Sequence, residues 1–229
     1  MSIFAIIPVK MLSKSKSRLS SVLRPNERKT LTLSMFEDVL RSVTNSQVVD
    51  RVIVISPDQA VLKVAGSYNN VDPIAEKTLR GMNSAVREAI EYSSRNGVQK
   101  VLVIPADIPL VASRDLQEIV SLGKNVPVVI SPSKSEKGTN ALLLSPPTII
   151  PTSYGQNSFQ LHMKKAMMRG IHFEVYRSKR IALDIDTPED LIDFVNLKSD
   201  TLSYKSLMRI AVVYRLRVSS QLVIPILQN

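Results

Sequence analysis

The strongest constraint on the fold is a pair of short apolar runs, at residues 3–9 and 51–56, whose interiors contain no charged residue. A strand with one solvated face alternates polar and apolar residues, so a continuous apolar run predicts a strand buried on both faces, as in a parallel sheet. Between the two runs, residues 25–44 carry an apolar stripe at every fourth position, which predicts one helix with Pro25 in its first turn. Together these elements form a βαβ unit.

The same alternation of strands and helices continues along the chain. Further strands are predicted at residues 71–75, 100–104, 126–131, 141–144, 172–177 and 180–185, and helices at 58–65, 82–95, 113–122, 157–169 and from Thr187 onward. Pro and Gly near the two strands between 126 and 144 indicate a sheet edge or an inserted lobe. We therefore predict an α/β, Rossmann-like fold, a mostly parallel sheet flanked by helices with a small inserted antiparallel portion. Residues 1–198 form one predicted domain, and 199–229 an extension of unassigned structure.

Composition narrows the class of partner. The net charge of +10 favours anionic partners, but aromatic residues make up 5%, Trp is absent and the basic residues are scattered, unlike most nucleic-acid-binding modules. The absence of Cys excludes disulfides and thiolate chemistry, and no apolar run approaches the roughly 20 residues of a membrane span. We expect a cytoplasmic protein that binds small anionic molecules, with neither nucleic acid nor a membrane as partner.

A basic loop follows the first predicted strand, at the carboxyl end where open α/β sheets bind ligands. It contains Pro8, Lys10, Lys14, Lys16 and Arg18. Four cations at this point favour binding of a triphosphate, and we assign Pro8, Lys16 and Arg18 to the nucleotide. A solvated basic loop is the alternative, and the glycine-lysine pattern of a Walker P-loop is absent.

A single carboxylate ends the strand predicted at residues 100–104. Asp107 lies between Pro105 and Pro109, whose rings restrict the backbone. A carboxylate fixed in this way suits Mg²⁺, which takes oxygen ligands at about 2.1 Å. A cap of the following helix is the alternative interpretation.

Two more carboxylates, Asp184 and Asp186, lie at the end of the strand predicted at residues 180–185. Residues two apart on a strand face the same side, so both can reach one ion while Ile185 packs inward. Two close carboxylates repel each other, and a divalent cation is the simplest relief. The pair therefore predicts metal ligands.

Helix capping is the competing role for these carboxylates, but Thr187 and Asp190 already supply a capping box for the last helix. Together with Asp107 the site offers oxygen ligands only, which favours Mg²⁺ or Mn²⁺ over zinc. His162 and His172 lack metal-ligand spacing, and we interpret both as packing or surface residues.

A candidate anion site lies at the start of the helix predicted to end at residue 169. Ser158 is placed where free backbone N–H groups favour a phosphate or carboxylate. A capping box formed by Asn157 and Gln160 explains the same residues equally well. Thr139 offers a further hydroxyl, but spacing alone does not bring it near Ser158.

Five spaced motifs together resemble the 2-phospho-L-lactate guanylyltransferase family. They are IPVK with KSRL (7–10 and 16–19), PADIPL (105–110), GTNALLL (138–144), YGQNSFQLH (154–162) and ALDIDTPEDL (182–191). The resemblance implies a nucleotide-diphospho-sugar transferase-like fold and a role in synthesis of the deazaflavin coenzyme of methanogenic archaea and some bacteria. It implies transfer of GMP from GTP to 2-phospho-L-lactate, or to phosphoenolpyruvate in bacterial relatives, with release of pyrophosphate.

The resemblance also implies residue roles. The catalytic, metal-binding aspartates fall on Asp107, Asp184 and Asp186, and the contacts to the acid substrate fall on Lys10, Thr139, Gly155 and Ser158. Lys10 is counted with the catalytic residues as well, and Lys16 and Arg18 match the loop over the triphosphate. Glu76 and Asn83 are assigned to the guanine of the nucleotide.

Two alternatives stay open at the level of sequence. One is a related transferase with another base or acceptor, such as a molybdopterin guanylyltransferase or a cytidylyltransferase. The other is a non-catalytic basic protein that binds nucleic acid, which would leave the paired aspartates unexplained. The oligomeric state is also open, with a homodimer among the options.

Overall fold

A computed structural model describes residues 2–77 and 80–210 of the 229-residue chain. Its strands are β1 Ile3–Pro8, β2 Arg51–Ser56, β3 Val71–Ala75, β4 Lys100–Val103, β5 Val128–Pro132, β6 Thr139–Leu144 and β7 Phe173–Val175. Its helices are α1 Pro25–Thr44, α2 Gln59–Ala65, α3 Met82–Arg95, α4 Ser113–Leu122, α5 Ser158–Met167, α6 Lys179–Ala182, α7 Pro188–Asn196 and α8 Leu202–Arg209. Two short 3₁₀ turns, Leu12–Lys14 and Ser17–Leu19, lie between β1 and α1.

The described strands form one sheet in the order β3-β2-β1-β4-β6-β5-β7. β6 pairs antiparallel with both β4 and β5, whereas the other described pairs are parallel. The predicted α/β fold with a small antiparallel portion is confirmed. From β1 the chain first builds outward through β2 and β3 and then crosses to β4 on the other side of β1, so the strand order reverses between β1 and β4. Open α/β sheets bind ligands at such a reversal.

β1 lies in the interior of the sheet and is covered on both faces. Ala5 and Ile7 belong to a core cluster with apolar residues of α1, α2 and α4 on one face, and Phe4 and Ile6 belong to a second cluster with residues of α3 and α5 on the other. All four side chains are buried. This double burial explains why the sequence of β1 is apolar without alternation.

A third apolar cluster joins the start of α1 to α7 and α8. It buries Leu183 and Ile185, while Asp184 and Asp186 between and after them remain half-buried. The strand predicted at residues 180–185 is nevertheless wrong, because Lys179–Ala182 form α6 and residues 183–186 pair with no described strand. The alternating burial that mimicked a strand comes from the end of α6 followed by the extended residues 183–186.

In this segment, side chains form hydrogen bonds with backbone groups that would pair with a neighbouring strand in a sheet. Ser178 caps α6 by accepting from the backbone N–H of Arg180. The side-chain amide of Asn140 donates to the carbonyl oxygens of Ile181 at 2.9 Å and Ala182 at 3.4 Å. Main-chain bonds add to these, since the N–H of Lys134 donates to the carbonyl of Ala182 at 2.8 Å.

The two predicted capping boxes have different outcomes. Thr187 and Asp190 cap α7 as predicted, since the Asp190 N–H donates to the Thr187 hydroxyl and the Thr187 N–H donates to the Asp190 carboxylate. The box of Asn157 and Gln160 is wrong, because Asn157 has a φ of 57° and its side chain makes no capping hydrogen bond. Gln160 instead donates to the carbonyl of Glu136.

Part of the unassigned extension is helical. The carboxylate of Asp38 in α1 accepts from the backbone N–H groups of Leu202 at 2.7 Å and Ser203 at 2.9 Å, which caps α8 and ties it to α1. The apolar stretch after residue 210 lies outside the described residues. Among the helices that the structure describes, none is both long enough and apolar enough to cross a bilayer.

Candidate active site

A cavity of about 360 Å³ opens at the carboxyl ends of β1, β3 and β4, where the strand order reverses. The predicted site residues that line it are Pro8, Lys10, Lys16, Arg18, Glu76, Asp107 and Asp186. The fold thus brings the basic loop after β1 and carboxylates from three distant segments to one cavity. A cleft with charges of both signs can hold an anionic ligand together with a cation.

Lys16 lies at the centre of this charge arrangement. Its ammonium donates to Asp107 at 2.9 Å and to Asp186 at 2.7 Å, and its side chain is only 6% exposed. The backbone of Lys16 is left-handed, with a φ of 52°, a conformation that non-glycine residues adopt rarely. The two carboxylates therefore converge on one cationic atom, although the sequence assigned Lys16 to the triphosphate.

The pKa values of Lys16 and Asp186 depend on the opposite charges that lie beside these buried groups. Burial disfavours the charged ammonium of Lys16, but the negative charges of Asp107 and Asp186 outweigh it and raise its pKa above the usual 10.5. Burial likewise favours the neutral form of Asp186, but the positive charges of Lys16, Arg18 and Lys10 hold its pKa below the usual value. The lysines and the arginine of the basic loop thus act on Asp186 as counterions.

Asp184 differs from the other two aspartates because no cation pairs with it among the described residues. Its carboxylate accepts from the Asn140 side chain at 3.0 Å. Burial and then the negative charge of Asp107 raise its pKa to about 6, with a smaller contribution from Asp186. The three predicted metal ligands therefore lie close enough to repel one another, with Asp184 beside the cavity and the other two lining it.

The chemistry of the donor set, which offers carboxylate oxygens only, suits a divalent cation, but the spacing of the side chains in this structure does not. Asp107 and Asp186 already converge on one positive atom, and Asp184 carries a raised pKa that a further cation nearby would lower. Within the described residues, no three acidic or histidine side chains are spaced as a ready metal site. The ammonium of Lys16 stands between two of the three carboxylates, in the place that a cation would take.

Two sets of contacts fix the segment that carries Asp184 and Asp186. The N–H of Ile185 donates to the carbonyl of Asp107 at 3.0 Å, which joins the two acidic segments directly. Upstream, the fully buried carboxylate of Asp115 accepts two hydrogen bonds from the guanidinium of Arg180, at 2.7 and 2.6 Å. The carboxylates are therefore held by main-chain and side-chain bonds and not by a strand.

Of the residues predicted to contact the acid substrate, Lys10 lines the cavity, whereas Thr139, Gly155 and Ser158 do not line it. Thr139 begins β6, next to Asn140, and its hydroxyl lies 3.0 Å from Nδ1 of His162. His162 is one helical turn after Ser158 in α5, so the fold joins Thr139 to the helix that Ser158 begins. Gly155 precedes this helix with a φ of 124°, a conformation that favours glycine.

Asn83 makes contacts that its sequence did not suggest. Its side-chain amide donates to the carbonyl of Tyr154 at 2.9 Å and its side-chain oxygen accepts from the N–H of Tyr154 at 2.7 Å. Asn83 thus pins the loop before Gly155 to the start of α3, and it does not line the cavity.

Glu76 follows β3 and lines the cavity. Its Oε1 atom is buried and has no hydrogen-bond partner within the described residues. Burial, with the neighbouring charge of Glu88, raises its pKa above the usual value. A buried acceptor without a partner is costly, and a ligand that donates to it would relieve the cost.

Two residues of the site had no assigned role in the sequence. Asn140 contacts both Asp184 and the backbone before it, and its signal was its place next to Thr139 in the GTNALLL motif. His162 was interpreted as a packing or surface residue, and its signal was its place four residues after Ser158.

Comparison with known proteins decides the family. A family model described as "Guanylyl transferase CofC like" matches residues 3–227. The chain belongs to this guanylyltransferase family. The family match extends past residue 191, where the last of the five motifs ends.

Relatives of known name agree with this family. A phosphoenolpyruvate guanylyltransferase from Rubrobacter xylanophilus is 39% identical over 192 residues, which are 83% of this chain and 92% of that protein. A 2-phospho-L-lactate guanylyltransferase from Methanocaldococcus jannaschii is 35% identical over 196 residues, which are 86% of this chain and 84% of that protein. Some relatives of this chain are therefore named for phosphoenolpyruvate and others for 2-phospho-L-lactate.

Solved structures share the architecture. A nucleotidyl transferase from Methanothermobacter matches with a TM-score of 0.63 at 14% identity, over 86% of this chain and 97% of that chain. A 4-diphosphocytidyl-2C-methyl-D-erythritol synthase from Anaerococcus prevotii matches with a TM-score of 0.62 at 14% identity, over 86% and 96%. At these identities the likeness shows the fold of a nucleotidyltransferase.

Proposed function

We propose that this guanylyltransferase transfers GMP from GTP to a phosphorylated three-carbon acid, either 2-phospho-L-lactate or phosphoenolpyruvate, and releases pyrophosphate in deazaflavin coenzyme synthesis. The observation that carries the proposal is the convergence of Asp107 and Asp186 on one buried cation, Lys16, inside a cavity lined by further basic residues. This arrangement suits a reaction in which two anions must meet. The names of the relatives support both acceptors.

The reaction forms a bond between a phosphate oxygen of the acid and the α-phosphorus of GTP, and breaks the bond from that phosphorus to the oxygen of the leaving pyrophosphate. The attacking phosphate, whose second pKa is about 6, is already an anion near neutral pH, so no protein base has to remove a proton. Repulsion between the two anions is the main barrier, and positive charges fixed at the meeting point lower it. Lys10, Lys16 and Arg18 are placed to supply these charges.

Asp107, Asp184 and Asp186 would hold Mg²⁺ or Mn²⁺. Such an ion would neutralise phosphate charge and polarise the α-phosphate. In the proposal, Lys16 exchanges its bonds to Asp107 and Asp186 for phosphate oxygens of GTP. Lys16 would thus pair with Asp107 and Asp186 before GTP binds, as in this structure, and with the triphosphate afterwards, as the sequence predicts.

For the guanine base we propose Glu76 as the residue that reads it. Guanine presents two adjacent donors, N1–H and the amino group at C2, and a carboxylate can accept from both. Glu76 has a buried oxygen that lacks a donor within the described part of the chain, whereas the side-chain amide of Asn83 is already engaged with Tyr154. Asn83 then supports the site through the loop it pins.

The experiment for the donor base compares GTP with ITP, which lacks the amino group at C2. Glu76→Gln is expected to lower kcat/KM for GTP on the order of tenfold to a hundredfold, the effect of losing a charged hydrogen bond, and to affect ITP less. An equal loss of kcat/KM with GTP and with ITP would show that Glu76 does not recognise the guanine base.

The experiment for the reaction itself is mass spectrometry of products formed from GTP, Mg²⁺ and each acid in turn. We expect a diphosphate-linked product of GMP and one of the two acids, together with pyrophosphate. The same assay with CTP, UTP and ATP tests the alternative of a transferase for another base. Absence of product with every acid and nucleotide would reject the proposal.

With this function the partners are small molecules, and a cytoplasmic location gives access to GTP.

A further inference from the structure

His162 is a buried histidine with a hydrogen bond at each ring nitrogen. Nδ1 lies 3.0 Å from the hydroxyl oxygen of Thr139, and Nε2 accepts from the backbone N–H of Ser153 at 2.8 Å. The side chain is 0% exposed. Thr139 is itself a proposed contact to the acid substrate, and Ser153 lies two residues before Gly155, another proposed contact.

The bond from Ser153 determines where the proton of the ring lies. A backbone N–H can only donate, so Nε2 must carry no hydrogen. Burial, with the positive charge of Lys165, lowers the pKa of His162 to about 4, so the ring is neutral near pH 7 and carries one hydrogen. That hydrogen must be on Nδ1, the less common place for a free histidine.

The position of this hydrogen determines the role of the Thr139 hydroxyl. Since Nδ1–H donates to the hydroxyl oxygen, the hydroxyl must direct its own hydrogen to another acceptor. Among the described residues the structure gives that hydrogen no protein acceptor. The oxygen of this buried hydroxyl already accepts a hydrogen bond, whereas its hydrogen has no acceptor in the described part of the chain. The hydroxyl can therefore donate to an anion.

His162 also links the parts of the acid-binding site to one another. It lies one helical turn after Ser158, and its bond to Ser153 holds the loop two residues before Gly155. The ring of Tyr154 packs edge-on against it, with ring centroids 5.3 Å apart. One side chain therefore sets the spacing of three segments that are separate in sequence.

We propose that His162 is a positioning residue that fixes the Thr139 hydroxyl as a hydrogen-bond donor to the acid substrate, at its carboxylate or phosphate. The identity of the anion rests on the proposed function, whereas the state of the ring does not. His162 itself does not contact the substrate and transfers no proton.

The first test needs no variant and no substrate. Nitrogen-15 NMR of the wild-type protein distinguishes the two neutral tautomers of histidine by the shifts of the ring nitrogens. We expect His162 to carry its hydrogen on Nδ1 and to remain neutral at pH 6, while the exposed His172 serves as an internal reference. A hydrogen on Nε2 of His162 overturns the inference.

The second test is a double-substitution cycle on Thr139 and His162. Thr139→Val should raise KM for the acid substrate on the order of tenfold to a hundredfold with little change in KM for GTP. His162→Gln keeps an acceptor that can reach Ser153 but loses the donor to Thr139, so it should raise the same KM. In the Thr139→Val background, His162→Gln should then add little. Equal effects in both backgrounds would show a merely structural role and overturn the inference.

His162→Asn is the matched control, since its amide can donate near the position of Nδ1. It should retain more affinity for the acid than His162→Gln does, and the opposite order counts against the inference. If the wild-type protein turns over neither acid, the proposed function fails, and the NMR result still decides the state of the ring.

Discussion

Replacement of Asp184 by Asn should make the protein more stable and inactive. Asp184 is half-buried, close to Asp107 and Asp186, and its oxygen accepts from the side chain of Asn140. Asparagine has nearly the same shape and can keep this hydrogen bond through its own oxygen. It removes one negative charge from a group of three that repel each other.

The magnitude follows from the pKa of Asp184, which burial and then the charge of Asp107 raise from 3.8 to about 6. A rise of about two pH units corresponds to about 3 kcal/mol between the two protonation states. Because the folded state holds the proton more tightly than the unfolded state, the wild-type protein has its full stability from this group below pH 4. That stability is lost as the pH rises through 6.

Urea unfolding at pH values from 4 to 8, without divalent cations, measures the effect. Asp184→Asn should match the wild-type protein near pH 4 and exceed it by up to about 3 kcal/mol above pH 7. The control is Asp193→Asn, which removes the same charge from an exposed ion pair with Lys134 and should change stability by less than about 1 kcal/mol. Addition of Mg²⁺ should narrow the gap by stabilising the wild-type protein only.

Two results would refute this reasoning. One is a variant that is less stable than the wild-type protein above pH 7. The other is a difference in stability that does not change between pH 4 and pH 8. Either would mean that burial and the charges of Asp107 and Asp186 do not destabilise the ionised carboxylate of Asp184.

The remaining predictions concern activity and the support of the site. Asp107→Ala should abolish Mg²⁺-dependent release of pyrophosphate from GTP while the circular dichroism spectrum stays unchanged, and full activity would remove Asp107 from the site. Ser158→Asp should block the phosphorylated acid by like charge but leave GTP binding intact, and calorimetry with each ligand separately would show the contrary. Arg180→Met should cost about 3 kcal/mol of stability, because it leaves the buried carboxylate of Asp115 without its cation; a loss below about 1 kcal/mol in thermal unfolding would contradict this.

The strands and helices with a clear pattern of apolar residues could be predicted from the sequence. The continuous apolar run of β1 and the four-residue stripe of α1 reflect burial on two faces and on one face, and both elements are where the sequence placed them. The segment at residues 180–185 was mistaken for a strand, because the end of α6 and the extended residues after it bury Ile181, Leu183 and Ile185 in the same alternation. Apolar residues at every second position show that burial alternates along a segment. They do not show that the segment forms hydrogen bonds with a neighbouring strand.

The site was predictable in its residue types and not in its contacts. The carboxylates were recognisable because Asp107, Asp184 and Asp186 follow apolar segments where a sheet edge is expected. The ion pairs of Lys16 join positions up to 170 residues apart, and the bond from His162 to Thr139 spans 23. Such pairs depend on how the chain folds back on itself in three dimensions, which local sequence patterns do not contain.

The measurement that tests the central claim most directly is a crystal structure of the protein with GTP and Mn²⁺, recorded at a wavelength where manganese scatters anomalously. We expect an anomalous peak at about 2.1 Å from oxygens of the three aspartates, with Lys16 moved from Asp107 and Asp186 to the phosphates of GTP. A structure in which GTP is bound, Lys16 still joins the two carboxylates and no manganese peak lies beside them would contradict the account.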